Sequence, residues 1–541
     1  MGYELENGAY NFYVNENAHI EADRIANTAA VSVSVNAEDG GVIWNEANED
    51  GYVAENRYTA ENDYYSLDYK LESNYIEIAD AERKGMSRTD FAGTFPKPLT
   101  EVERTLSVER DVNGFTEREA IENKQHNNTE VEAAVSAEGF ELLTGQPTDM
   151  ALRSLLGERD LSGDRPRTAA DGFQLVEYDA EGWDELLNSL TFDDMLLLVN
   201  NGAFQTVALP SIDKNLTNDS DGPVGFVNFM VGLSGHYEGN TTFASQIVIG
   251  STWNKDLAYQ MGKIVGENGL YGDVDGNGLP YTGWYAPAVN LHRSPFSGRN
   301  FEYYSEDPVL SGKMAVNVIN GCKTKGVYTD LKHFALNDQE TNRAGISTFC
   351  TEQTLRELYL KPFEMAVKGD DDPSQVAAAK ADGWTEYEGT TGMMSSFNRI
   401  GNRWTGGDYK LLTDILRGEW GFKGLVICDY KTDNSVMDSR QMLYAGNDLI
   451  LASLSNLMWQ DADENNMQDM YVLRKATKNI LYTTVNSNAI QSDIDGYNIE
   501  WWKTATIVVD VVAAVGIVVW GVFAIRGAWK KAEQPHQDGQ N

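Results

Sequence analysis

Residues 424–430 read Gly-Leu-Val-Ile-Cys-Asp-Tyr: a glycine, four apolar residues, then an acid and an aromatic. An apolar run this short and unbroken fits a strand buried on both faces of a parallel sheet, with a carboxylate delivered where the strand ends. The same grammar recurs upstream in QIVIGS (246–251), GWYAPAVNLH (283–292), GVYTDLKHF (326–334) and TGMMSSFN (391–398), and downstream in NDLIL (447–451). Helical patterns lie between them at Asn254–Gly269, Glu306–Lys325, Thr351–Lys368 and Asp408–Gly421, with Thr351 and Glu352 as a start signal and Gly421 as a stop. Strands alternating with helices imply an α/β fold with a parallel sheet. The repeat occupies residues 183–492, enough for a closed (β/α)8 TIM-like barrel. A doubly wound sheet is the alternative, but no G-x-G-x-x-G follows any strand.

Outward from this core the character of the chain changes. Residues 1–85 alternate apolar and polar in AYNFYV, AAVSVSV, YYSLDYKL and NYIEIAD, which predicts antiparallel strands. Residues 86–182 are a polar, acidic connector with some helix. Residues 370–389 interrupt the barrel rhythm with an acidic, proline-bearing surface insertion. Thr504–Ile525 is a 22-residue apolar run with one charge, Asp510. At about 1.5 Å per residue it is long enough for a single transmembrane helix. Trp501, Trp502 and Trp520 suit the interfaces, and Arg526, Lys530 and Lys531 put the tail 526–541 in the cytoplasm and the body outside the cell membrane. The N-terminus lacks the basic and apolar stretches of an export signal, so the expectation is a chain without its natural N-terminal part.

In the 541 residues, 43 basic side chains face 82 acidic ones, a net charge of −39. Such a field repels phosphate backbones, so nucleic acid is not an expected partner. Cys322, Cys350 and Cys428 are too few for a disulfide framework or a zinc cluster, and buried free thiols are expected. DVDGNG (273–278) matches half of a calcium loop, but Trp284 stands where the closing glutamate belongs, and it reads as a turn. No metal or organic cofactor is expected.

Polar residues cluster where the strands end, which is where such barrels place their chemistry. Asp221 follows one strand; Arg299 and Glu302 lie in GRNFEYYSEDP; Lys332, His333, Asp338, Glu340 and Arg343 lie in LKHFALNDQETNR; Asp429 ends GLVICDY. Acids, bases and aromatics converging on one face suit a neutral polyhydroxylated ligand.

DGPVGF, APAVNLHRSPFSGRNFEYYSEDP, KHFALNDQETNR, MMSSFNRIG, GLVICDY and AGNDLIL together resemble the barrel of glycoside hydrolase family 3, of the β-glucosidase type, across residues 185–455. SRTDFAGTFP (87–96) is similar to members with permuted domain order, in which an α/β sandwich and a fibronectin-III-like module precede the barrel. The resemblance implies that residues 1–85 are a fibronectin-III-like remnant and that the sandwich domain is missing. It implies Asp429 as catalytic nucleophile, Asp221 as the grip on distal sugar hydroxyls, Arg299, Lys332, His333 and Arg343 as further hydroxyl contacts, and Tyr430 as an aromatic platform. Phe397 stands where many members have Tyr, and Val227 where some have Arg. The family's general acid comes from the sandwich domain, so neither Glu302 nor Glu340 is nominated. The resulting expectation is a retaining exo-acting β-glycosidase, a β-glucosidase, with an oligosaccharide or β-glucoside as substrate. β-Xylosidase or another family activity is the alternative, as is a sugar-binding barrel that lacks its acid. A separate sandwich domain is the partner that would supply it.

Overall fold

The computed structural model describes residues 3–13, 29–37, 41–44, 46–58, 128–157, 176–226, 240–272, 280–348, 350, 352–369, 389–400, 403–432, 434, 436–490 and 521. The chain divides into a unit of residues 1–492 and a second of residues 493–541, of which Gly521 alone is described. The apolar run 504–525 apart from Gly521, the calcium-like segment 273–278 and Val227 therefore lie outside the described residues. Among the described residues no helix is long and apolar enough to cross a membrane.

The alternating N-terminal segments form two antiparallel ribbons. β1 (Tyr3–Glu6) pairs with β4 (Gly41–Trp44), and β2 (Gly8–Tyr13) pairs with β3 (Ala29–Val35). YYSLDYKL and NYIEIAD lie outside the described residues. A strap, residues 46–58, then reaches the flank of the barrel. Asn48 Nδ2 donates to the Gly418 carbonyl at 2.7 Å, and Tyr58, 4 % exposed, donates its hydroxyl to Asp408 Oδ2 at 3.0 Å.

The barrel sheet is parallel and runs, in spatial order, β9 (Leu425–Ile427), β8 (Gly392–Ser395), β7 (Tyr328–Phe334), β6 (Gly283–Tyr285) and β5 (Asp219–Asp221). Backbone hydrogen bonds close it. Ile427 bridges Leu449; Ile450 N donates to the Val199 carbonyl and Gly202 N to that of Ile450. Asp219 N and Thr217 N then donate to the carbonyls of Phe204 and Thr206, so the closing segment runs antiparallel to β5. The eight-fold repeat expected from the sequence thus appears, among the described residues, as a ring of seven chain segments. NDLIL takes part in that ring as an isolated bridge at Leu449.

One expected strand is a helix: QIVIGS forms the short helix Gln246–Gly250. Gln246 and Ile249 are buried while Ile247 and Val248 are 38 % and 52 % exposed, a spacing of three that a strand cannot produce. The other helical patterns hold. Asn254 caps Lys255–Tyr271 by accepting from Leu257 N, and Asp307 caps Pro308–Lys323 by accepting from Leu310 N ahead of a proline suited to the first turn. A helical stretch also runs from Glu352 through Lys368, and the Lys410–Glu419 helix is of the wider π type, with Gly421 beyond its end at φ +71°. These helices pack apolar faces on Leu331, Met393 and Val426 of the sheet, all fully buried. Full burial of such a side chain contributes about 1.5–3 kcal/mol. Cys322 and Cys428 are buried free thiols, and Cys350 is half-buried.

Candidate active site

Parallel strands all end on the same rim, so the residues at their C-terminal ends meet whatever their separation in sequence. β5 ends at Asp221, β7 carries Lys332 and His333, and Asp429 lies two residues beyond β9. Lys332 Nζ is 2.7 Å from Asp221 Oδ1, and this oxygen also accepts from Gly222 N at 2.8 Å. His333 is held by Asn290, whose Oδ1 accepts from His333 N and whose Nδ2 donates to the His333 carbonyl.

Arg299 arrives on the loop after β6. Its Nη2 lies 3.0 Å from His333 Nε2 and 2.7 Å from Glu302 Oε2, and its Nη1 lies 3.7 Å from Glu340 Oε1. The other oxygen of Glu340 takes Arg343 Nη1 at 2.9 Å, and the Arg343 guanidinium stacks 4.4 Å over the ring of Phe397. A guanidinium only donates, so His333 Nε2 is an acceptor and the ring is neutral with its proton on Nδ1. Burial, with Arg299, Lys332 and Arg343 close by, holds the His333 pKa well below its usual value.

Asp429 Oδ1 accepts from Tyr430 N at 2.7 Å. Oδ2 is buried without a hydrogen-bond partner and sits 3.8 Å from His333 Nε2. Burial raises the Asp429 pKa against the opposing pull of Arg299, the Tyr430 amide, Arg343 and Lys332. A carboxylate with one oxygen tied down and the other free, under neighbouring cations, is equipped to attack an electron-poor carbon.

Asp221, Arg299, Lys332, His333, Arg343 and Asp429 are thus brought together. Tyr430 stands beside Asp429, half-buried, with its hydroxyl on Ser453 Oγ at 2.9 Å. Glu302 and Glu340 are engaged by the two arginines. Asp338 accepts from Leu291 N behind the site, and burial pushes its pKa up to about 7. Sequence reasoning passed over Asn290 and Ser453. Asn290 carried a signal, since it stands in the same strand-end loop as Arg299, whereas Ser453 had none.

Residues 224–478 match the glycosyl hydrolase family 3 N terminal domain, which supports a family 3 assignment for this part of the chain. "Beta-glucosidase A" of Butyrivibrio fibrisolvens is 37 % identical over 223 residues, covering 41 % of this chain and 23 % of that protein. "Exo-alpha-(1->6)-L-arabinopyranosidase" of Bifidobacterium longum is 35 % identical over 220 residues, covering 40 % and 26 % respectively. The chain therefore spans about a quarter of the length of these curated relatives. A crystallised β-glucosidase from Paenibacillus barengoltzii superposes with a TM-score of 0.51 at 24 % identity, over 69 % of this chain and 37 % of that one, a likeness of fold.

Proposed function

We propose that this chain is the barrel part of a retaining, exo-acting β-glycosidase of the β-glucosidase type. The observation that carries the reading is the free Oδ2 of Asp429, buried among Arg299, His333, Lys332 and Arg343 at the barrel mouth. In this reading Asp221 and Lys332 grip the hydroxyls farthest from the scissile bond. Arg299 and Arg343 donate to the remaining ones, His333 lines the pocket, and Tyr430 offers its ring face. Asp429 Oδ2 attacks the anomeric carbon, the bond to the leaving oxygen breaks, and a covalent glycosyl-enzyme forms. Retention needs a second carboxyl about 5–5.5 Å from the nucleophile, acting first as acid and then as base. With Glu302 and Glu340 bound to arginines, we assign that role to a separate sandwich domain and read the N-terminal ribbons as a fibronectin-III-like remnant.

Incubation with a 2-fluoro-glucoside bearing a dinitrophenolate leaving group, followed by peptide mass mapping, tests the reading. The expected product is an adduct on Asp429 that Asp429→Asn abolishes, because such a leaving group departs without an acid. A label on another carboxylate overturns the nucleophile. The arabinopyranosidase relative favours a second specificity, a pentopyranoside, for which the corresponding 2-fluoro-pentosyl reagent would label faster.

The apolar run 504–525 supports a further proposal, a single-pass anchor in the cell membrane with the barrel outside. When the chain is expressed behind a signal peptide, carbonate-washed membranes should retain it. Recovery wholly in the wash would remove the anchor.

A further inference from the structure

We propose that Asp330 is a positioning residue for Lys332, providing a second seat for its ammonium beneath the sugar-gripping pair with Asp221. Successive side chains of a strand alternate between faces, so Tyr328, Asp330 and Lys332 of β7 share the barrel interior. Asp330 is 1 % exposed and neither carboxylate oxygen has a hydrogen-bond partner. The space it fills is built for it. Asp330 pairs with Gly392 of β8, where a Cβ would lie 2.5 Å from Asp330 Oδ1. Lys332, its side chain 3 % exposed, has three donors, and its hydrogen bond to Asp221 accounts for one of them.

The charged and titratable groups around Asp330 come from each neighbouring strand. β5 brings Asp219 and Asp221, with Lys214 behind Asp219; β6 brings Tyr285; β7 itself brings Tyr328 and Lys332. β8 and β9 face the interior with Gly392, Met394, Leu425 and Ile427, none of them titratable. Burial and the neighbouring Asp219 push the Asp330 pKa well up, and Lys332 pulls it down. As the neutral acid, Asp330 leaves the ammonium on Asp221. Ionised at high pH, it competes for that ammonium from two residues away and draws it inward, loosening the pair that holds sugar.

The sugar-binding half of this inference rests on the glycosidase reading, so two measurements are needed. The first needs no sugar: a double-mutant cycle of Asp330→Asn and Lys332→Met in the full chain, followed by denaturant unfolding at pH 6 and pH 9. Coupling between the two positions is expected to be more favourable at pH 9 than at pH 6. Coupling that is absent at pH 9, or equal at both, overturns the proposal, and Asp330→Ser serves if the Asn variant does not fold. The second is calorimetric titration with glucose. Wild-type affinity is expected to be weaker at pH 9 than at pH 6, and to stay flat in Asp330→Asn. An equal fall in both overturns the role of Asp330. No glucose binding at any pH would instead sink the glycosidase reading, with the cycle still deciding the Asp330–Lys332 coupling.

Discussion

On the flank of the barrel Arg356 lies between Glu352 and Glu419, and at the mouth Arg299 lies between Glu302 and Glu340. The residue types match but the wiring differs. On the flank, Glu419 takes both Arg356 and Arg57, and Glu352 takes Arg356 Nε and the backbone amides of Arg57 and Tyr58. No oxygen or nitrogen of that cluster is buried without a partner among the described residues. At the mouth, Asp429 Oδ2, His333 Nδ1 and Glu340 Oε1 all lack hydrogen-bond partners. A fully paired cluster holds chain segments together, here the strap 46–58 on the barrel. A cluster with open valences is arranged for something that arrives from outside. Uncompensated polar atoms destabilise a fold, so three of them side by side among charged groups at the rim suit a site.

The largest test of this contrast removes the arginine from each cluster. Arg356→Met takes the shared cation from two buried carboxylates and should cost about 3–5 kcal/mol of stability by denaturant unfolding. Arg299→Met should cost less than half of that, because its partners are more exposed, while sharply slowing labelling of Asp429. Equal destabilisation by the two would break the contrast. Next in size, Asp221→Ala should weaken glucose binding by about 1.5–3 kcal/mol in calorimetry, the worth of a charge-assisted hydrogen bond, with the fold intact. Unchanged affinity would move the sugar pocket elsewhere.

The smallest effect is one of pH. Burial raises the Asp429 pKa in the folded state, so the native chain keeps a proton that the unfolded chain has released. The stabilising contribution of this group is full below its unfolded pKa near 4 and is lost as pH rises through the folded value. Asp429→Asn should therefore melt a little higher than wild type at pH 7, and the difference should vanish below about pH 4. Asp219 behaves in the same sense, burial pushing it up to about 6. A wild type more stable than Asp429→Asn at pH 7 would mean that the cations at the mouth outweigh desolvation.

Much of the site could be read in advance because strand-end residues are written next to the apolar runs that deliver them. GLVICDY announces both the strand and its carboxylate, and LKHF both the lysine and the histidine. QIVIGS misled because three β-branched residues in a row look like a strand. Only in the structure does the buried Gln246, three positions before the buried Ile249, show the spacing of a helix. Asp330 gave no such sign. An acid inside an apolar strand looks like a site residue or a register error until the facing glycine is seen.

The sequence by itself determined the parallel α/β class, the strand ends that carry chemistry and the family motifs, since each is set by local periodicity and short-range spacing. Tertiary structure decided which partners those residues meet. Arg57 and Glu419 are 362 positions apart and Lys332 and Asp221 are 111 apart, separations over which no local pattern specifies a contact. Only closure of the ring set one oxygen of Asp429 free and the other on its neighbour's amide, because burial and hydrogen bonding depend on every strand that reaches the rim.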